Sequence, residues 1–298
     1  MTEKLTFGLY LGCLIPHRYP GIEAAMRKLA PKLDIRLVNL VGASCCPPPG
    51  VIRSFDQPTW LAIAARNLAI AEKLGVDMVT MCNGCYGSLR EANEIFKEQP
   101  EKLKEANKIL KDVGRQYNGN IEVYHIAEVL YRDIGVEKIR SIVKNPLKLN
   151  VAVHYGCHIL RPSDHRGIDS SERPHFLDDL VEALGCKSIQ YKDKMLCCGA
   201  GGALRTACLD VSLDMAREKL QNIHESGADC IVDICPFCHL QYDAGQVQIR
   251  EKWGEYYGIP VLYYLQLLGL SMDYTPKEMG LHGNCHYVPI NSILQKLG

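Results

Sequence analysis

The chain has 298 residues, 47% hydrophobic and 23% charged, a size and composition that suit one large soluble domain or two compact ones. Its 34 basic residues balance 34 acidic ones, which argues against a general polyanion binder such as a nucleic-acid protein but permits a local basic patch around a small anion. Fourteen cysteines without a secretion signal read as metal or redox chemistry in a reducing cytoplasm, not as a disulfide scaffold.

In MTEKLTFGLYLGC the apolar stretch is too short, and the basic region too weak, for a signal peptide or a lipoprotein box ahead of Cys13. The run LTFGLYL predicts a strand ending just before Cys13, and DIRLVNLV another before Cys45. GASCCPPPG (42–50) then sets two adjacent cysteines against three prolines. Such a pair is poorly placed for a structural disulfide. Neighbouring Cα atoms lie about 3.8 Å apart, whereas disulfides want roughly 4.4–6.8 Å. Two adjacent thiolates can, however, reach one metal cluster together. WLAIAARNLAIAEKLG has helical periodicity, and VDMVTM predicts a strand that ends at the CxxC of Cys82 and Cys85. EIFKEQPEKLKEANKILKDVG is a charged amphipathic stretch, expected as an exposed helical face. Further on, LNVAVHY precedes Cys157, MLCCGAGG (195–202) holds a second vicinal pair, LDMAREKLQNIHESG is helical, and CIVDI precedes Cys235. The tail LHGNCHYVPI carries Cys285 and His286, a possible metal-ligand pair that nothing in the repeat supports. No apolar run approaches the roughly 18–20 residues of a membrane span.

The two halves repeat. Cys13, Cys45, Cys46, Cys82 and Cys85 answer Cys157, Cys197, Cys198, Cys235 and Cys238. From first cysteine to vicinal pair lie 31 residues in one half and 39 in the other, and from pair to closing CxxC lie 35 and 36. YLGC answers HYGC, LGVDMVTMCNGC answers SGADCIVDICPFC, and NIEVYHIAEVL answers IPVLYYLQLLG. Ten cysteines in two like-ordered sets of five point to metal ligation. Cys186, Cys208, Cys230 and Cys285 have no counterparts and are expected to be packed apolar thiols.

Strands alternating with helices predict parallel sheets, whose ligand sites gather at the strands' carboxyl ends. The expected fold is α/β, with two pseudo-repeated domains (1–147 and 148–298), mainly parallel sheets, and a cysteine cluster at one rim of each. A structural zinc takes four ligands, and so does a regular cubane. Five cysteines suit an expanded iron–sulfur cluster in which a vicinal thiolate bridges two irons, with zinc and a metal-free dithiol site as alternatives. The run Pro47–Pro49 fixes φ and removes amide donors, whereas Gly199, Gly201 and Gly202 let backbone approach a cluster closely.

On these cysteine sets, and on GCLIPHRYPGIEAAMRKL and GASCCPPPG, the chain resembles the CCG-domain family formed by the B subunits of heterodisulfide reductase from methanogenic archaea, over residues about 5–270. The first half departs from the CCG pattern in having Pro47 where the second has Gly199. The resemblance implies a noncubane 4Fe–4S cluster in each half, held by the five cysteines, and reduction of the coenzyme M–coenzyme B disulfide between the clusters in methanogenesis. It also implies partners: two further subunits, one ferredoxin-like and one flavin-bearing, with a hydrogenase or formate dehydrogenase upstream. There is no GxGxxG after a strand and no tight four-cysteine run, so electrons are expected through such partners. His154 and His158 flank Cys157 and are candidate proton donors to a leaving thiolate; His17 and Arg18 follow Cys13 with similar spacing. An anionic substrate needs cationic clamps, for which Arg53, Arg161, Arg166, Lys192 and Arg205 are candidates. Competing readings are an iron–sulfur electron-transfer subunit of another oxidoreductase, for lactate or glycolate oxidation or fumarate reduction, and a zinc-stabilised module without catalysis.

Overall fold

The computed structural model describes residues 4–282 and 285–297. Parts of the N-terminal stretch and of the LHGNCHYVPI tail therefore lie outside the described residues, whereas Cys285 and His286 lie within them. Two four-stranded sheets are formed, both wholly parallel. The first comprises β1 (Leu5–Tyr10), β2 (Ile35–Asn39), β3 (Asp77–Thr80) and β4 (Val123–His125) in the order β2-β1-β3-β4. The second comprises β5 (Asn150–His154), β6 (Lys187–Ser188), β7 (Cys230–Asp233) and β8 (Val261–Tyr263) in the order β6-β5-β7-β8. The repeat of cysteines is thus a repeat of topology.

The central strands form because both faces of a parallel sheet are covered, so their residues read as near-continuous apolar runs. All four residues of β7 are buried. The four longest described helices are α1 (Gln57–Lys73), α2 (Asn83–Glu98), α3 (Leu209–Glu225) and α4 (Pro236–Trp253), of which α2 and α4 carry Cys85 and Cys238. Asp56 caps α1, its Oδ1 accepting from Thr59 N at 3.0 Å, and Pro58 occupies the first turn, where an amide donor is not needed. The charged stretch 94–114 is two helices and not one. Pro100 restricts Gln99 away from helical dihedrals, so α2 ends at Glu98 and a second helix runs Pro100–Leu110. One apolar core runs through both halves, and the helix Pro20–Leu29 of the first packs on Tyr264–Ser271 of the second.

Candidate metal centre

In each half the three cysteine groups follow three strands. Cys13 and Cys157 come three residues after β1 and β5, the vicinal pairs follow β2 and β6, and Cys82 and Cys235 come two residues after β3 and β7. Cys82 and Cys235 are the N-cap residues of α2 and α4, both extended (φ −134° and −140°). Cys85 and Cys238 therefore lie in the first helical turns, where the helix dipole favours thiolate, but neighbouring cysteines and burial together raise both thiols well above the ordinary range. Glycine is required just before Cys13 and Cys157. Gly12 has φ +67°, and a Cβ there would come 2.7 Å from Cys85 Sγ; Gly156 has φ +75°, and a Cβ there would collide with Asn83 Nδ2 and lie 3.5 Å from Cys238 Sγ.

All fourteen cysteines are free thiols. Neighbouring thiols of the first set influence one another in the order Cys13, Cys45, Cys46, Cys85, Cys82. The second set runs Cys157, Cys197, Cys198, Cys238, Cys235. Cys82 also lies against Cys235 across the two halves and shifts its acidity, so the ten thiols form one unbroken run of neighbours. Sharing of protons splits their acidities. Bonds from Cys157 and Cys198 push Cys197 down to about 2, and its partner Cys198 is pushed up to about 12. Bonds from Cys45 and Cys85 lower Cys46, and bonds from Cys238 and Cys82 lower Cys235. Ten sulfurs so close could all be thiolates only with cations among them. Five neighbouring cysteines per half exceed the four of a tetrahedral zinc or regular cubane and fit an iron–sulfur group of higher sulfur demand.

The junction is reciprocal. His125 Nε2, at the end of β4, bonds Ile234 O at 3.1 Å, while Tyr263 OH, at the end of β8, donates to Met81 O at 2.8 Å. Each half thereby grips the backbone just before the other half's CxxC. Asn83 Nδ2 adds a bond to Tyr155 O at 2.7 Å. The vicinal-cysteine loops also meet, since a Cβ on Gly50 would lie 3.0 Å from Gly202 Cα.

The second set has surroundings that the first lacks. Gly199 N donates to Cys197 Sγ at 3.4 Å, a bond that Pro47 cannot make at the matching position. His154 lies with Cys198 and Cys238 in one group of candidate ligand atoms. It is buried, its Nδ1 stands 3.4 Å from Tyr242 OH, and burial holds its pKa well below the usual histidine value. His158 is half-buried against Gly87 and is likewise lowered by burial. Sequence reasoning missed Lys219. It is fully buried on α3, and its Nζ donates to Lys194 O and Leu196 O, both at 2.7 Å, just before the vicinal pair. Burial pushes it down to about 8, against the attraction of the cysteines. The signal was present: Lys219 shares the apolar helix face of Ala216, Leu220 and Ile223.

The other candidates are spread around this centre. Arg205 is half-buried, bonds Gln241 and Gln248, and feels Cys198 and Tyr19. Arg161 lies close enough to Cys157 to favour its thiolate, and its Nη2 donates to Ser171 O at 3.2 Å. Arg53 pairs with Glu91 and covers Trp60. Arg166 is 1% exposed, bonds His158 O at 3.0 Å and Gly87 O at 3.4 Å, and lies over Tyr86; it joins the halves and faces no open space. Lys192 is 76% exposed beside Asp193. His17 Nδ1 lies 2.8 Å from Cys13 O, and Arg18 Nη1 donates to Tyr287 OH at 3.4 Å. Among the unmatched cysteines, Cys186 and Cys230 are buried as expected, but Cys208 is exposed and Cys285 half-exposed. Cys208 sits at the start of α3, where the helix leaves the core. A surface cleft of about 650 Å³, lined by Val41, Lys73 and Arg115 among others, contains none of the cysteines.

Comparison with known proteins matches this pattern. A family model described as a cysteine-rich CCG domain fits residues 7–90 and again 151–243. Over 276 residues the chain is 51% identical to the B subunit of the ferredoxin/F(420)H(2)-dependent CoB-CoM heterodisulfide reductase of Methanosarcina acetivorans, covering 93% of this chain and 92% of that protein. The chain belongs to the heterodisulfide reductase B-subunit family. Such B subunits are parts of larger enzymes, and the paired cysteine-rich domains of the family fit iron–sulfur binding. A more distant relative is the 8-methylmenaquinol:fumarate reductase membrane anchor subunit of Wolinella succinogenes, 31% identical over 280 residues and covering 93% of this chain and 96% of that one. A crystal structure of a hypothetical protein from Helicobacter pylori shares the fold, with a TM-score of 0.73 at 16% identity over 97% of this chain and 52% of that one. Among the described residues no helix is long and apolar enough to cross a membrane.

Proposed function

We propose that this chain is the catalytic subunit of a cytoplasmic heterodisulfide reductase, reducing the coenzyme M–coenzyme B disulfide to its two thiols. Cys13, Cys45, Cys46, Cys82 and Cys85 would hold one noncubane 4Fe–4S cluster, and Cys157, Cys197, Cys198, Cys235 and Cys238 the other, in domains spanning 1–147 and 148–298. The observation that carries this reading is the unbroken run of ten thiols, in which Cys82 and Cys235 meet between the halves. When bound, the two clusters supply the two electrons that disulfide cleavage takes. The disulfide, two electrons and two protons balance two thiols.

The chain's own residues contribute binding, charge and protons. Neutral His154 and His158 can each hold a proton on a ring nitrogen beside the second set, within reach of a leaving thiolate. Lys219 sets a buried positive charge behind Cys197 and Cys198 and stabilises anionic sulfur there. Arg161 and Arg205, close to Cys157 and Cys198, suit the anionic groups of the two coenzymes. Arg53, Arg166 and Lys192 are weaker candidates on their pairing, burial and distance. Electrons would be delivered by two partner subunits, one ferredoxin-like and one flavin-bearing, with a hydrogenase or formate dehydrogenase upstream.

A fumarate-reducing complex is the second reading, favoured by the 31% identity to the Wolinella protein. The test is the anaerobically assembled complex, given reduced donor and either the heterodisulfide or fumarate. Turnover of the disulfide alone supports the proposal; turnover of fumarate alone replaces it. Iron and sulfide analysis of the purified chain runs beside it, and a colourless protein holding only zinc would remove both readings.

A further inference from the structure

Directly after the last cysteine of the second set, α4 carries His239 and Asp243 four residues apart, hence on one helix face. His286, from the C-terminal segment, joins them: one ligand atom from each of the three lies within 4.8 Å of the others. We propose that His239, Asp243 and His286 form a mononuclear site for a divalent transition-metal ion, separate from the ten cysteines and independent of the reductase reading.

Three observations build it. First, His239 is fully buried, and its Nδ1 bonds Asp233 Oδ2 at 3.0 Å. That bond is the carboxylate–histidine pairing that orients a metal-ligating imidazole and leaves Nε2 as the donor. Second, His239 Nε2 and His286 Nδ1 both lack a hydrogen-bond partner among the described residues although both are buried. Two orphaned ring nitrogens beside one carboxylate are unfavourable unless something occupies the space between them. Third, Asp243 is fully buried, and no lysine or arginine pairs with it among the described residues. A cation between the two ring nitrogens would compensate its charge.

The carboxylate is held for this task. Asp243 Oδ1 accepts from Tyr287 N and Val288 N, both at 2.9 Å, and Oδ2 accepts from Tyr19 OH at 3.0 Å. Tyr19 also stands edge-on to the His239 ring, with centroids 4.5 Å apart. Two imidazoles and one carboxylate suit zinc or ferrous iron and not calcium or magnesium. The ion would fasten the C-terminal segment and Tyr19 of the first half to the helix that carries Cys238. Its role is a clip on the second cysteine set.

The probe is zinc. The wild-type complex, loaded with Zn²⁺ and desalted, is expected to retain one zinc per copy of this chain beyond its iron. Zinc-edge X-ray absorption should show a shell of nitrogen and oxygen without sulfur. His286→Gln, a change on the half-exposed tail, should lose that zinc with iron content and cluster paramagnetic spectra unchanged. Asp233→Asn should weaken zinc retention by about 10–100-fold. A zinc shell containing sulfur would mean occupation of a cysteine set and overturn the proposal. So would equal zinc in wild type and His286→Gln, or no zinc in the wild type, which would leave a water in the pocket.

Discussion

Cys82 and Cys235, the N-cap residues of equivalent helices in the two halves, lie against each other between the halves. The first raises the acidity of the second, so the two sets are electrostatically one system. If each holds a cluster, loss of one set leaves a half-centre limited to one-electron steps. Cys235→Ser combined with Cys238→Ser is expected to halve the iron content and abolish disulfide turnover, while paramagnetic signals of the first set persist. Substantial turnover by this variant would sink the two-cluster mechanism.

The glycine before each leading cysteine gives a sharper structural test. Gly12 and Gly75 share nearly the same left-handed φ, +67° and +64°, but only Gly12 faces a thiol; a Cβ at Gly75 meets nothing within 4 Å. Gly75→Ala should therefore register backbone strain alone, about 1 kcal/mol, with full iron content. Gly12→Ala adds the collision with Cys85 Sγ and should lose the first set's iron. Equal iron in the two variants would show that the thiol contact does not matter.

How far this was legible follows from burial. β1, β3, β5 and β7 stand out because central parallel strands are apolar on both faces. β6 is two residues, Lys187 and Ser188, at a sheet edge, with no pattern to detect. β4 and β8, three residues each, emerge only through the match of NIEVYHIAEVL with IPVLYYLQLLG. Cysteine spacing carried the two sets, since each set is local to one sheet rim. The Cys82–Cys235 contact and the grips of His125 and Tyr263 depend on how the halves dock, which spacing does not encode. Lys219 was hidden by its charge, because a lysine in a mixed helix reads as solvated.

Lys219 leads to a prediction about potential. Its ammonium and the amide of Gly199 both favour negative charge on the second set, whereas Pro47 denies the first set the matching amide. Hydrogen bonds and nearby charge help set iron–sulfur potentials, so the second set should be the more easily reduced. Lys219→Met keeps the length of the side chain and removes the charge. Redox titration followed by paramagnetic resonance should find the second set's potential lowered by tens of millivolts, on the order expected for a change in such interactions, with the first set unmoved. An equal shift in both would point to global loosening of the 194–198 loop.

Acid should open the junction through His125. Burial holds this histidine neutral, with its pKa pushed down to about 4. Its Nδ1 accepts from Ala127 N at 3.1 Å, which leaves Nε2–H to donate to Ile234 O. An unfolded histidine titrates near 6.5. Between about pH 4 and 6.5 the unfolded chain thus binds more protons than the folded one, and stability falls as pH falls through that window. The full difference corresponds to about 3 kcal/mol, and none of it is lost above pH 6.5. His125→Gln retains an amide donor for Ile234 O but cannot titrate. Denaturant unfolding of the two proteins across pH 4–7 should give a steep dependence for the wild type and a flatter one for the variant. Parallel slopes would place the acid sensitivity elsewhere, in the cysteine sets themselves.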